Sequence, residues 1–201
     1  MGINMSAHPV SFRWSVGTPD THHADVTDKM MERPLQGASI AFSSHSPPAA
    51  PLTAAALAAA QRGQTLTVQI ADRALRIEGD PVRLAQAVNN LLHNAVKYTP
   101  EKGCITVNVL ADGKDLVVSV KDNGLGISAA LLPHIFELFA QSSRTIAASA
   151  GGLGVGLAVV KAVAESHGGT VSATSAGPDT GSEFTLRLPI VLERRMAGEP
   201  A

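Results

Sequence analysis

The stretch that decides the fold is Asp80–Pro100, DPVRLAQAVNNLLHNAVKYTP. Asp80 followed by Pro81 predicts a helix start, because an aspartate can cap the first turn and proline suits the first helical position. Thr99-Pro100 predicts the end near Tyr98, since the residue before a proline disfavours the helical region. Apolar residues recur at helical spacing on one side. The stretch therefore predicts a helix that packs against a sheet.

The opposite side of this helix carries Asn90, Asn94 and Lys97 at one-turn intervals. Asparagine is a mediocre helix former, so each costs roughly a few tenths of a kcal/mol in mid-helix. Two interpretations stay open on this pattern alone. The stripe is a solvated face, or an amide oxygen ligates a hard cation while the lysine contacts a phosphate.

Alternating apolar residues predict strands on both sides of this helix. Two short strands precede it at 64–70 and 75–77, and a hairpin follows it with strands around 105–109 and 116–120. We further expect helices over 128–139 and from about 153 to 167, then strands at 170–175 and 183–190. Hairpins with interspersed helices predict an α/β fold, a two-layer sandwich.

The chain changes character near residue 63. Residues 1–50 lack a sustained period of 2 or 3.6 residues. We expect residues 1–62 to be a poorly ordered or linker segment with a possible short Ala-rich helix over 52–62. Residues 63–192 form the predicted domain, and 193–201 a flexible tail. Gly63 is suited to end the short helix.

Charge and cysteine content exclude several classes of function. Sixteen basic and seventeen acidic side chains give a formal net charge of −1, which argues against a nucleic-acid partner. A single cysteine cannot form an internal disulfide. The longest Ala-rich stretch, 51–60, is too short to span a bilayer, and no leader-like segment is evident. We therefore expect a cytoplasmic chain with no membrane segment.

Two glycine clusters are candidate ligand sites. In the first, Asp122 ends a strand and a flexible Asn-Gly-Leu-Gly turn follows. Such a carboxylate suits an amino-group donor such as adenine, although an ordinary Asp-Asn-Gly turn stays an alternative. In the second, glycines 151, 152, 154 and 156 run into a helix start, which favours an anion site. No Walker lysine follows, and Leu157 replaces the third glycine of a dinucleotide fingerprint.

These stretches together resemble sensor histidine kinases. Residues 86–100 resemble the asparagine box, 122–127 the first glycine box, 135–139 the phenylalanine box and 152–157 the second glycine box. The segments 167–169 and 181–184 resemble the usual ending. The resemblance implies the Bergerat ATP-binding sandwich, with a mixed, mostly antiparallel sheet and helices on one face.

The resemblance also implies roles for individual residues, with ATP and Mg²⁺ as cofactors. Asn94 would hold the metal against the phosphates, and Asp122 would accept the adenine amino group. Residues 140–151 would form a lid. Asn90, Asn94 and Lys97 are the catalytic candidates. The implied nucleotide-binding residues are Asn90, Asn94, Lys97, Tyr98, Asp122, Gly124, Gly126, Ile127, Phe136, Phe139, Arg144, Gly152, Leu153, Gly154, Val155, Gly156, Leu157 and Thr185. Thr185 would assist Asp122 through water.

The residue type at position 90 distinguishes a kinase from a hydrolase, and this chain has an asparagine there. ATPase relatives place a glutamate there to activate water, and an amide is too weak a base for that task. The resemblance thus implies presentation of the γ-phosphate to a histidine, with a response regulator receiver domain downstream. No phosphoacceptor motif surrounds His8, His22, His23 or His45. We therefore expect the histidine on a dimerisation domain, in cis or in trans. Alternatives are a Ser/Thr kinase of the anti-sigma type and a regulatory nucleotide-binding module.

Overall fold

The computed structural model describes residues 16–17, 39–42, 49–70, 75–140 and 153–190. Within these ranges, pairs of strands alternate with single helices along the chain, and a short 3-10 turn covers Leu132–His134. No helix in the described part of the chain is both long and apolar enough to cross a membrane. The elements are β1 Val16–Gly17, β2 Ser39–Phe42, α1 Ala49–Gln61, β3 Thr65–Ile70, β4 Leu75–Glu78, α2 Pro81–Tyr98, β5 Cys104–Asp112, β6 Asp115–Asp122, α3 Gly156–Ser166, β7 Thr170–Thr174 and β8 Ser182–Pro189.

The larger sheet has five strands in the order β3-β5-β6-β8-β7. Only β3 and β5 are parallel neighbours, and the other pairs are antiparallel. This confirms the predicted mixed, mostly antiparallel α/β architecture. A smaller sheet joins β1, β2 and β4. At the hairpin end of β6, a hydrogen bond from Arg187 to Asp112 raises the pKa of that arginine, and Asp115 adds to the effect.

Helix α2 forms where the sequence predicts it. The Asp80 carboxylate accepts hydrogen bonds from the backbone N–H groups of Val82 at 2.9 Å and Arg83 at 3.2 Å. This caps two N–H groups that have no partner within the helix. The opposite end stops at Tyr98, before Thr99-Pro100. The apolar side is buried, and its residues are Leu84, Ala87, Val88, Leu91, Leu92, Ala95 and Val96.

The three helices form one layer, because α2 packs against both α1 and α3 and also against β6. His167, just after α3, joins two of them. Its Nε2 accepts from the Asp80 N–H at 3.0 Å, and its Nδ1 lies 2.7 Å from the Val163 carbonyl oxygen. A carbonyl oxygen can only accept, so Nδ1 is the donor to Val163 and Nε2 is the acceptor from Asp80. The beginning of α2 is thereby fastened to the end of α3.

Helix α1 contributes to the same hydrophobic core. Leu52, Ala55 and Ala59 are each at most 6% exposed, and they belong to the cluster that contains the buried face of α2. Gly63, two residues after the end of α1, has a φ of +63°, a left-handed conformation that suits glycine at a helix end. The core therefore extends to the N-terminal side of the predicted domain start at residue 63.

The predicted helix over 128–139 is wrong. The segment is a series of tight turns, with N–H groups of Leu131, His134 and Glu137 donating to the carbonyl three residues earlier. Pro133 lacks an N–H group, which interrupts helix propagation. Phe139 then adopts φ of +65°, a left-handed conformation that ends any helix. The apolar spacing arises because Leu132, Ile135 and Phe136 pack against the core.

Candidate functional site

Asp122 is a buried, oriented carboxylate at the end of β6. Its side chain belongs to a residue only 6% exposed. One oxygen, Oδ1, accepts from the Gly124 N–H at 2.8 Å, and Oδ2 accepts from the Ser182 hydroxyl at 2.6 Å. A carboxylate has about four acceptor sites, so these two bonds fix its orientation and leave capacity for a further donor.

The turn after Asp122 packs directly on the last turn of α2. The Leu125 N–H donates to the Tyr98 carbonyl at 3.1 Å. A Cβ atom at Gly124 would collide with that same Tyr98 carbonyl oxygen. Gly126 has φ of +65°, and a Cβ there would collide with the Gly177 carbonyl oxygen. The predicted glycines are thus required by close backbone approach, and the acid lies against the end of α2.

The polar stripe of α2 meets the beginning of α3. The Asn90 side-chain NH₂ donates to the Gly156 carbonyl at 3.1 Å. Asn94 follows one turn later and is half-buried, as is Lys97. The Lys97 ammonium lies 5.2 Å from the centre of the Tyr98 ring. The stripe is therefore not a plain solvated face, because it joins the second glycine cluster.

The two phenylalanines of the predicted box have different surroundings. Phe136 packs edge-to-face on Phe184 of β8, with ring centres 6.3 Å apart and an interplanar angle of 89°. Phe139 is 69% exposed, and its N–H donates to the Gly154 carbonyl at 3.1 Å. Gly154 has φ of +68°. This backbone bond brings the phenylalanine box against the second glycine cluster.

The remaining predicted site residues lie around this region or outside it. Ile127 is buried, and its N–H donates to the Ser175 hydroxyl at 2.9 Å. Leu157 packs against the core, whereas Leu153 is 78% exposed. Val155 takes the N-cap position of α3. Arg144, Gly152, lid residues 141–151 and the histidines at 8, 22, 23 and 45 lie outside the described residues.

Ser182, not Thr185, is bonded to Asp122. Thr185 pairs with Ser119 in the antiparallel register, whereas Asp122 pairs with Ser182. Positions 182 and 185 differ by an odd number, so their side chains leave opposite faces of β8. The direct hydroxyl partner of Asp122 is therefore Ser182, and assistance of Asp122 by Thr185 through water stays a prediction. The sequence signal for Ser182 is the glycine before it, Gly181, because β8 begins directly after that glycine and opposite the end of β6.

The donor set suits a metal that brings most of its own ligands. In the described ranges, no group of three or more His, Cys, Asp or Glu residues could hold a metal ion. Mg²⁺ usually binds through one or two protein oxygens, several waters and substrate phosphates. A single amide oxygen on α2, from Asn94, is compatible with that chemistry.

The sequence around this site also matches a known protein family. Residues 79–192 match the family described as "Histidine kinase-, DNA gyrase B-, and HSP90-like ATPase". The chain belongs to this family. The matched range contains Asp122, Ser182 and the asparagines of α2, and the family implies ATP binding. The ATPase domain is of the histidine kinase type, because its relatives are sensor histidine kinases.

Two curated relatives illustrate the similarity. Sensor-like histidine kinase SenX3 of Mycobacterium tuberculosis is 38% identical over 119 residues, covering 59% of this chain and 29% of that protein. Sensor histidine kinase RcsC of Escherichia coli K12 is 39% identical over 119 residues, covering 59% of this chain and 12% of that protein. The chain thus spans less than a third of these relatives.

Solved structures share the fold. Full-length ShkA, in complex with AMPPNP, is 29% identical with a TM-score of 0.60, covering 72% of this chain and 30% of that one. The catalytic domain of histidine kinase ThkA has a TM-score of 0.64 at 22% identity, covering 75% of this chain and 97% of that one. The five-stranded sheet with its helical layer is therefore that of histidine kinase catalytic domains.

Proposed function

We propose that this domain binds Mg-ATP and presents the γ-phosphate to a histidine on a separate dimerisation domain. The observation that carries the proposal is the Asp122 carboxylate, buried and held by Gly124 and Ser182. Its unused acceptor sites would take the adenine amino group. A buried acceptor discriminates strongly against ligands that cannot pair with it.

The phosphate end of the ligand would lie between α2 and α3. The first turn of α3 begins at Gly156, which Asn90 joins to α2, and a helix N-terminus favours anions. Asn94 and Lys97 would contribute an amide oxygen and a cation from α2. Bound Mg²⁺ would supply charge neutralisation at the phosphates. Gly152, Arg144 and the lid stay predictions of the same kind.

Asn90 supports transfer to an external nucleophile over hydrolysis. Its NH₂ group donates to a backbone carbonyl, and a carboxamide has no basic site that could take a proton from water near neutral pH. Phosphoryl transfer depends mostly on positioning and charge stabilisation. A well-placed imidazole supplied by a partner domain would then suffice, and a receiver domain would accept the phosphate afterwards. We place these steps in the cytoplasm.

The experiment supplies the missing nucleophile. The chain is incubated with radiolabelled ATP, Mg²⁺ and a purified histidine-bearing dimerisation domain of a sensor kinase. The proposal predicts label on that domain, which is lost in acid as expected of phosphohistidine, and no label when EDTA is present. Acid-stable label on a Ser/Thr substrate would favour a kinase of the anti-sigma type. ATP binding without transfer to any supplied domain would favour a regulatory module.

A further inference from the structure

Gln64 lies between α1 and β3 and reaches the end of α2. The residue is buried, and its side-chain Nε2 lies 3.0 Å from the Val96 carbonyl oxygen, 2.8 Å from that of Thr99 and 3.3 Å from that of Pro100. The last carbonyl groups of a helix have no partner within the helix. Gln64 therefore caps the C-terminal end of the helix that carries the polar stripe.

Among the described residues, the Gln64 side chain forms hydrogen bonds only through its NH₂ group. Within the described residues, Gln64 Oε1 has no hydrogen-bond partner. Turning the amide over would place that oxygen against three carbonyl oxygens, so the hydrogen-bond network assigns the NH₂ group to α2. An unpaired buried acceptor costs free energy. The arrangement persists because the capping bonds offset this cost.

The same last turn of α2 also holds the turn of the candidate adenine site. Tyr98, two residues after Val96, accepts from the Leu125 N–H at 3.1 Å. Gly124 lies so close to the Tyr98 carbonyl that a Cβ would collide with it. In close-packed protein there is little room to absorb a displacement at such a contact. A shift of Tyr98 would therefore move the Asp122 turn.

Two further hydrogen bonds link the α1–β3 connection to the segment that follows α2. The Arg62 guanidinium donates to the Thr99 carbonyl at 3.2 Å, and the Lys102 N–H donates to the Arg62 carbonyl at 3.2 Å. The connection from α1 to β3 thus donates to the end of α2 at the Thr99 carbonyl, while the Asp122 turn donates to it at the Tyr98 carbonyl. The family match begins at residue 79, so it assigns nothing to α1 or Gln64.

We propose that Gln64 is a positioning residue for the nucleotide site. It holds the Tyr98 carbonyl where Leu125 and Gly124 require it, and it makes the geometry of the Asp122 carboxylate depend on the position of α1. The proposal rests on the proposed function in one respect, that the ligand of Asp122 is ATP.

The test compares Gln64→Met with Gln69→Met, an exposed position on the adjacent strand β3. Methionine retains the volume of glutamine and removes the donor. We expect the dissociation constant of a non-hydrolysable ATP analogue to rise about three- to tenfold for Gln64→Met, the equivalent of one hydrogen bond. In the ligand-free protein, hydrogen exchange of the Leu125 amide should accelerate more than that of amides in β6 and β8. Gln69→Met should change neither quantity.

Three results would overturn the proposal. The first is a folded Gln64→Met variant with unaltered affinity. The second is weaker binding with normal Leu125 exchange. The third is an equal acceleration at all core amides, which indicates a merely structural role. If Gln64→Met does not fold, Arg62→Ala replaces it, and the same selective changes are expected at smaller size. If the unmutated chain does not bind the analogue, the proposed function fails, and the Leu125 exchange still decides the positioning role.

Discussion

At the residue scale, Gly124 has no room for a side chain, because it lies against both the end of α2 and the Asp122 carboxylate. In Gly124→Ala, the new Cβ would lie 2.8 Å from both the Tyr98 carbonyl carbon and Asp122 Oδ1. The backbone must shift, because the Tyr98 neighbour is backbone and the Asp122 carboxylate is held by two hydrogen bonds. We expect a loss of about 1–3 kcal/mol of unfolding free energy and at least roughly tenfold weaker nucleotide binding. Urea denaturation and calorimetric titration measure the two effects.

Gly113→Ala is the matched control. A Cβ at Gly113 would meet nothing within 4 Å, although its φ of +61° strains an alanine. We expect a stability loss of about 1–2 kcal/mol from that strain and unchanged nucleotide affinity. Equal affinities in the two variants would contradict the close approach of Gly124 to Tyr98.

Some residues of the site could be predicted from the sequence and others could not. Asp122 was predictable because an acid followed by Asn-Gly-Leu-Gly ends an alternating strand. Its hydroxyl partner was not, because Ser182 is sixty residues away in the chain and the pairing depends on strand register. Gln64 left no pattern in the sequence, since its three carbonyl partners become neighbours only after α1, α2 and β3 have packed.

At the scale of elements, α2 depends on its N-terminal cap. Asp80→Ala removes the carboxylate that accepts from Val82 and Arg83. We expect a loss of about 1 kcal/mol in unfolding free energy. Asp80→Asn should retain most of the stability, since its amide oxygen can still accept. Urea denaturation of both variants gives the measurement, and equal losses would show that hydrogen bonding at the cap is not what matters.

The elements differ in how much local sequence determined them. Both ends of α2 follow from local signals, Asp80-Pro81 and Thr99-Pro100, and the structure confirms them. The segment 128–139 has similar apolar spacing but contains Pro133, and its partly buried apolar residues come from successive turns. The spacing of apolar residues predicts which side chains pack against the core. That spacing does not predict whether a helix or a series of turns brings those side chains to the core.

At the scale of the whole molecule, α1 is part of the folded domain. Leu52 is 5% exposed and belongs to the core, whereas Leu57 on the same helix is 64% exposed. We expect Leu52→Ala to cost about 2–5 kcal/mol of unfolding free energy and Leu57→Ala less than about 0.5 kcal/mol. Comparable losses for the two variants in urea denaturation would show that α1 does not pack as described.

The composition could not reveal this role of α1. Its Ala-rich sequence has a weak contrast between faces, so it resembles a linker when read alone. Small side chains such as Ala55 and Ala59 permit close approach to α2, and the helix becomes part of the core through that contact. The assignment of α1 to the domain therefore depends on tertiary packing.

Calorimetric titration of the whole chain with a non-hydrolysable ATP analogue, with and without Mg²⁺, tests the central claim most directly. We predict binding that is strengthened by Mg²⁺ and weakened about 100-fold or more in Asp122→Asn, which removes a charged acceptor held by two hydrogen bonds. Asp115→Asn, at the other end of β6, should bind like the unmutated chain. A folded Asp122→Asn variant with the affinity of the unmutated chain would contradict the assignment of Asp122 as the adenine acceptor.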